Sequence, residues 1–209
     1  MRAFSRLGML VAVLILAACR QDESSIRPAA LGASTGANPA QGQVQPAMCA
    51  PQGTEVRTTD GRVFSFLGRH PSDPESCRWN TQGVNRVTSF LHSLISSETE
   101  TSPLYRVGLR PLFPLATGKS VTFTVQRSAG IWRNTYRVLG EQRLSVPAGT
   151  FDVWLVERIE EGMFGNTYRG ENIFFIEKDT GLIVKVTSSV VRGQGGLGNW
   201  EALSVRRPN

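Results

Sequence analysis

The chain has 209 residues, 40% of them hydrophobic, and a formal charge of +6, enough for one domain with a real core beyond a leader and a tether. Its 23 basic residues, almost all arginines, are scattered along the chain, so the concentrated cationic stripe that nucleic-acid binding needs is missing. His70 and His92 form no HxH or HExxH spacing and the cysteines no CxxC, which argues against a zinc centre.

Arg2 and Arg6 precede Leu7 to Leu16, an uncharged apolar run. That is the length of a signal-peptide core and falls well short of the ~20 apolar residues a membrane-spanning helix needs. The run closes on Leu16-Ala17-Ala18-Cys19, which resembles the bacterial lipobox. The resemblance implies that residues 1–18 are a signal peptide, that cleavage frees Cys19, and that its thiol takes a diglyceride, an anchor carrying palmitate-type acyl chains. Such a lipoprotein is anchored to the membrane without spanning it. Arg20 stands where an Asp would hold a lipoprotein of this kind in the inner membrane. The same resemblance therefore implies the outer membrane, with the domain facing the periplasm.

Residues 19–47 comprise the lipidated cysteine and a segment rich in Ala, Gly, Gln, Ser and Pro. They have too few aromatic and β-branched side chains to bury a core, so they read as a flexible tether. A coil of about 29 residues has a root-mean-square reach of about 30 Å, which holds the domain at 48–209 clear of the headgroups. With Cys19 acylated, Cys49 and Cys77 remain, and an oxidising periplasm favours a disulfide between them. A metal site and a reactive thiol are the alternatives, with little spacing evidence for the first.

Beyond Cys49 the pattern becomes extended. Thr54 to Leu67 reads as two strands joined at Asp60-Gly61, a dipeptide that tolerates the positive φ of a tight hairpin. His70 to Cys77, with two prolines, predicts an irregular surface loop. Between Val84 and Ser96 apolar residues recur at 84, 87, 90, 91, 94 and 95, the spacing of one helix face, so a short helix packed across an open sheet is expected there. Its polar side, with Arg86 and His92, is too weakly charged for a membrane-surface helix.

From Lys119 onward the pattern is β throughout. Val121, Phe123 and Val125 alternate with Thr122 and Thr124, and Trp132, Asn134, Tyr136 and Val138 alternate in the same way. Further strands are predicted at Phe151 to Arg158, Tyr168 to Ile176, Leu182 to Val191 and Asn199 to Val205, with Asp179-Thr180-Gly181 as a hairpin turn. The fold class is mainly β: a curved antiparallel sheet or partly open barrel with one short helix.

The stretch Val146-Pro147-Ala148-Gly149-Thr150-Phe151, with Gly181 to Lys185 and Phe113-Pro114-Leu115 before Gly118-Lys119, resembles a recurring element of periplasmic β-rich domains of unknown function, over roughly residues 111 to 190. In that element Pro147 ends one strand, Gly149 permits the bend and Phe151 anchors the next strand in the core. The resemblance implies a curved β domain and brings no activity with it.

No feature predicts an enzyme. Gly-x-Ser-x-Gly is absent. Glu157, Glu160 and Glu161 could in principle provide a carboxylate pair for glycosidase chemistry, but at a strand end beside Gly162 they are expected to face water. Gly193 to Gly198 lacks the Lys-Ser/Thr of a phosphate loop and reads as a flexible loop between the last two strands. No cofactor is implied, and two non-catalytic functions stand: binding of a lipid or other amphiphile in the curved sheet, or a structural adaptor that engages another envelope protein through sheet edges or the helix.

Overall fold

The computed structural model describes residues 48–89, 103–127 and 129–208; the leader, Cys19 and the tether lie outside them. Ten strands form one antiparallel sheet: β1 (Glu55–Thr58), β2 (Val63–His70), β3 (Asp73–Thr81), β4 (Val84–Ser89), β5 (Ser120–Arg127), β6 (Gly130–Val146), β7 (Gly149–Gly162), β8 (Arg169–Glu177), β9 (Ile183–Arg192) and β10 (Trp200–Arg206). Their order is β4-β3-β2-β1-β10-β9-β8-β7-β6-β5. Two hairpin arrays thus meet where β10 returns to pair with β1, and among the described residues β4 and β5 stand at the two ends of the strand order.

Among the described residues one helix, α1 (Pro103–Leu109), continues into a 3-10 turn at Arg110–Leu112. Tyr105, Leu109 and Leu112 are fully buried, at the i, i+4, i+7 spacing that places them on one side. α1 packs on β5, where Gly108 meets Phe123, and the helix and its 3-10 turn are ion-paired to β3 through Arg106–Asp73 and Arg110–Glu75 respectively. In a flat sheet β3 and β5 would stand almost 40 Å apart at the usual ~4.8 Å per strand, beyond the span of a seven-residue helix and an arginine. The sheet therefore curls until both ends reach α1.

The alternation read from the sequence is kept: Val125, Asn134, Tyr136 and Val138 are buried and Thr122 and Thr124 are exposed. A row of side chains runs across the inner face through Val138, Val156, Phe174, Val186 and Trp200 by strand register. β6 and β7 are joined by a two-residue loop, Pro147-Ala148, with Val146 opposite Gly149 at φ +135° and Phe151 buried beyond it. A bulge between Val138 and Gly140 bends the long β6. Gly181 takes φ +69°, and a Cβ there would fall 2.5 Å from the Met48 carbonyl oxygen, so the turn that begins β9 also lets the first residues of the domain pass close by.

Two expectations are corrected. Residues 84–89 form β4, not the start of a helix, and the rest of the expected helix, 90–96, lies outside the described residues. Gln82 and Gly83 both have positive φ, +51° and +78°, the type I′ turn whose twist matches a hairpin. Antiparallel pairing of Thr81 with Val84 through Ser76 with Ser89 then overrides the three-four spacing. The loop expected from His70 to Cys77 is the β2–β3 hairpin, turned at Pro71-Ser72. Register jumps there from Arg69↔Cys77 to His70↔Asp73, so Pro74 falls in unpaired backbone where its missing N–H costs no ladder bond.

Cys49 and Cys77 are joined, with Cα atoms 5.5 Å apart. The bond ties the start of the domain to β3, the strand that also grips α1.

Candidate functional site

The inner face changes character along the strands of the second array. At the middle it is apolar, where Val138, Val156, Phe174 and Val186 share one buried core with Tyr105 and Leu109 of α1. Towards the β7–β8 turn the same face becomes polar. Register sets Tyr136, Arg158, Asn172 and Ser188 side by side across β6 to β9, and in the next row Phe123, Asn134, Glu160 and Gly170. Period-two geometry points all of these to the interior.

Arg158 is 4% exposed. Its Nε and Nη2 donate to Asn134 Oδ1 at 3.3 and 3.2 Å, and Nη2 also donates to Glu160 Oε1 at 2.9 Å. Its guanidinium lies 5.8 Å from the Tyr136 ring centre. Arg127, at the end of β5, pairs with the same Glu160 oxygen, donates to the Tyr105 hydroxyl and sits 5.0 Å from the Trp132 ring centre. Burial alone would lower the Arg127 pKa, but the Glu160 carboxylate and the Tyr105 hydroxyl outweigh it and hold the guanidinium charged.

Among the described residues, Asn134 Nδ2, Trp132 Nε1 and Asn172 Oδ1 are buried without a hydrogen-bond partner. The Asn134 amide is oriented by the two Arg158 bonds to its oxygen.

The open end is covered by aromatic rings and glycine backbone. Tyr168 meets Trp132 edge-on at 5.4 Å, and a Cβ on Gly170 would lie 2.3 Å from the Tyr168 hydroxyl, so the phenol folds across the row that holds Glu160. Burial, with a further push from Glu160, raises the Tyr168 pKa above the usual phenol range. On the other side the loop after β9 lays Gly196 against Ser188 and Val190, pinned where Asn199 Oδ1 accepts the Ser188 N–H.

Under the first array the inner face holds an enclosed apolar cavity of about 20 Å³, lined by Val56, Phe64, Phe66, Trp79, Ile183 and Trp200. Arg62 stacks over both Phe64 and Trp200, 5.5 and 5.4 Å from their ring centres.

The sequence-predicted candidates are distributed differently. Glu160 is buried between two arginines and does not face water as expected. Glu161 is drawn to Arg133 and Arg169 and Glu157 to Arg137, so each of the three carboxylates is held in an ion pair. His70 Nδ1 accepts the Ser72 N–H while Asp73 accepts from Ser76 and Arg106, so these neighbours do not form a relay; His92 lies outside the described residues. Among the described residues no group of three His, Cys, Asp or Glu side chains is placed to hold a metal, and no helix is long and apolar enough to cross a membrane. Pro147, Gly149 and Phe151 act in the hairpin and not in the cluster. Arg127, Arg158 and Asn172 were not singled out from the sequence. The available signal was Asn134, a polar residue on the inward parity of an otherwise aromatic and aliphatic strand.

Residues 104–194, from α1 to just past β9, match the family DUF3108, described as a protein of unknown function; the match contains the whole charged cluster and the Pro147 turn. No curated protein matches the chain. Among solved structures, the hypothetical lipoprotein YmcC from Escherichia coli (K12) aligns over 80% of this chain and 92% of its own, with 14% identity and a TM-score of 0.43. A protein with a YmcC-like fold from Bacteroides fragilis NCTC 9343 aligns over 78% of this chain and 100% of its own, with 9% identity and a TM-score of 0.39.

Proposed function

We propose that this protein is a non-catalytic, lipid-anchored envelope protein whose curved sheet binds a lipid or other amphiphile on its inner face. The lipobox-like Leu16 to Cys19 supports the anchor and, with Arg20, an outer-membrane location facing the periplasm. The observation that carries the binding reading is the inner face itself, apolar along the floor and the Phe64–Trp200 cavity and ending in buried charge, the polarity of an amphiphile laid along the strands. At about 20 Å³ the cavity is near the size of one water, so binding of an acyl chain requires the aromatic side chains around it to part. The position of β4 and β5 at the two ends of the described strand order favours a second reading, an adaptor that pairs a strand of another envelope protein.

The test is photo-crosslinking of the full-length protein in vesicles containing a phospholipid with a diazirine near its acyl terminus. Adducts on peptides carrying Phe64, Phe66, Trp79 or Trp200 are expected. Adducts confined to the tether and outward-facing residues would overturn the binding reading.

A further inference from the structure

We infer that the end of the sheet carrying the β7–β8 turn is a membrane-docking tip, where Phe164 enters the acyl boundary of a bilayer bearing anionic headgroups. The inference rests on the envelope reading above, which keeps the domain beside a bilayer, and not on a ligand inside the sheet. Phe164 is 86% exposed and takes φ +51°. A single exposed hydrophobic residue is ordinary. One held in a left-handed conformation, where Gly or Asn would sit with less strain, is not, and such outliers cluster at sites that use the side chain. The turn closes without the ring: the Met163 N–H donates to the Ile131 carbonyl, the Asn166 N–H to that of Met163, and Asn166 Oδ1 accepts the Tyr168 N–H.

Two neighbouring segments join this tip. Asn166 Nδ2 donates to the Ala129 carbonyl between β5 and β6 at 3.5 Å. On the other side Arg192 donates to the Thr167 carbonyl, and a Cβ on Gly193 would fall 3.1 Å from the Tyr168 ring. Residues 162–168 and 187–199 contain no Asp or Glu and a single cation, Arg192, which pairs with no carboxylate among the described residues. Val190 and Val191 beside it are exposed. At the base, opposite Gly162, Trp132 meets Tyr168 edge-on, and such amphipathic rings settle at a headgroup layer. A projecting apolar ring, an aromatic collar and a cation with no carboxylate nearby to repel phosphate suit the surface of an anionic bilayer. The loops around the ring are rich in glycine, with Gly165, Gly193, Gly195, Gly196 and Gly198, and offer little side-chain area for the interface a protein partner needs. The chain enters the domain at Met48, beside Gly181 and so at the far end of β8. Docking therefore requires the tether to run back along the sheet, about 35 Å at the usual strand rise, against the ~95 Å that residues 19–47 span when extended.

The experiment uses the full-length protein in vesicles of equal parts phosphatidylcholine and phosphatidylglycerol, the phosphatidylcholine brominated at its upper acyl carbons to quench nearby indoles. Phe164→Trp and, separately, Val191→Trp report on the tip. Leu139→Trp is the control, at an exposed position on β6 about 23 Å along the strand from Trp132. Vesicle-bound protein is isolated by flotation, and each signal is read over that of the unsubstituted chain. The Phe164→Trp and Val191→Trp signals are expected to be quenched and the Leu139→Trp signal spared. In the Val191→Trp background, Phe164→Asn is expected to lower the ratio of docked to undocked protein by at least about tenfold while raising the melting temperature, a combination that a merely structural ring does not give. Arg192→Gln is expected to lower the ratio about fivefold, and added salt to lower it in the parent.

An unquenched Phe164→Trp signal in protein that floats would overturn the inference, leave the anchor and the inner-face reading standing, and assign the exposed ring to a protein partner. Equal quenching at all three positions would also overturn it, because the domain would then lie on the bilayer without a preferred end. Phe164→Asn that leaves the Val191→Trp quenching unchanged would show that the ring stays out of the membrane. Undiminished quenching in vesicles of brominated phosphatidylcholine alone would overturn the choice of anionic headgroups. Protein that fails to float with either vesicle would remove the anchor and the tip together.

Discussion

Gly108 of α1 sits so close to the Phe123 ring of β5 that a Cβ at position 108 would fall 2.3 Å from the ring's Cγ. The ring cannot retreat, being edge-on to Tyr105 at 5.4 Å and stacked on Tyr136 at 6.0 Å. Gly108→Ala should therefore destabilise the fold by about 1–3 kcal/mol through overpacking, although alanine is better by about 1 kcal/mol in an unconstrained helix. Urea denaturation decides between the two: an unchanged or raised midpoint would show that α1 is free to shift outward.

Acid should loosen the attachment of α1. At Asp73, burial alone would raise the pKa, but hydrogen bonds from Ser76, Arg106 and the Glu75 amide outweigh it and hold the carboxyl below its ordinary value of 3.8. Hydrogen bonds from Arg133 lead in holding Glu161 below 4.5, burial opposes, and Arg169 adds to the lowering. A carboxyl with a depressed folded pKa contributes stability that is complete above its unfolded value and lost as pH falls through the folded one. The melting temperature should stay level from about pH 7 to about pH 5 and fall below about pH 4, with Asp73→Asn removing part of that fall. Equal acid sensitivity in wild type and variant would show that Asp73 contributes nothing.

Replacing Cys49 and Cys77 together with alanine should cost roughly 3 kcal/mol, since the bond closes a loop of about 29 residues in the unfolded chain. For a domain of this size that lowers the melting temperature by roughly 6–12 °C. Calorimetry with and without reductant checks it: reductant should lower the wild type towards the variant and leave the variant unchanged.

Phe164, at the tip of the β7–β8 turn, is 86% exposed and held at φ +51°, a conformation costly for an aromatic residue. The turn is fixed around it: Asn166 packs on Gly162, and its Oδ1 accepts the Tyr168 N–H at 3.0 Å. With little packing to lose, Phe164→Asn should stabilise the protein by about 1 kcal/mol. A loss of stability on chemical denaturation would mean that the ring makes contacts worth more than the strain.

Cys19→Ala should leave the precursor without its acyl chains and shift the protein from the membrane fraction to the soluble one, read by fractionation and intact mass. Retention in membranes without an added acyl mass would contradict lipidation at Cys19.

By itself the sequence determined what depends on local chemistry. Strict alternation placed Val125, Asn134, Tyr136 and Val138 on one face, Asp60-Gly61, Asp179-Thr180-Gly181 and Pro147-Ala148-Gly149 marked turns, and cysteine arithmetic paired Cys49 with Cys77. These follow from backbone preferences over a few residues. Where a local pattern competed with a long-range pairing, the tertiary structure decided: Val84 to Ser89 became a strand because the Gln82-Gly83 turn brought it against β3, and Pro74 was accommodated by a register jump invisible in composition. The charged cluster was beyond local reading because Arg127, Asn134, Arg158, Glu160 and Asn172 come from four strands, and only the register of β5 to β8 makes them neighbours. Burial then turns Glu160, expected in water, into a carboxylate shared by two arginines.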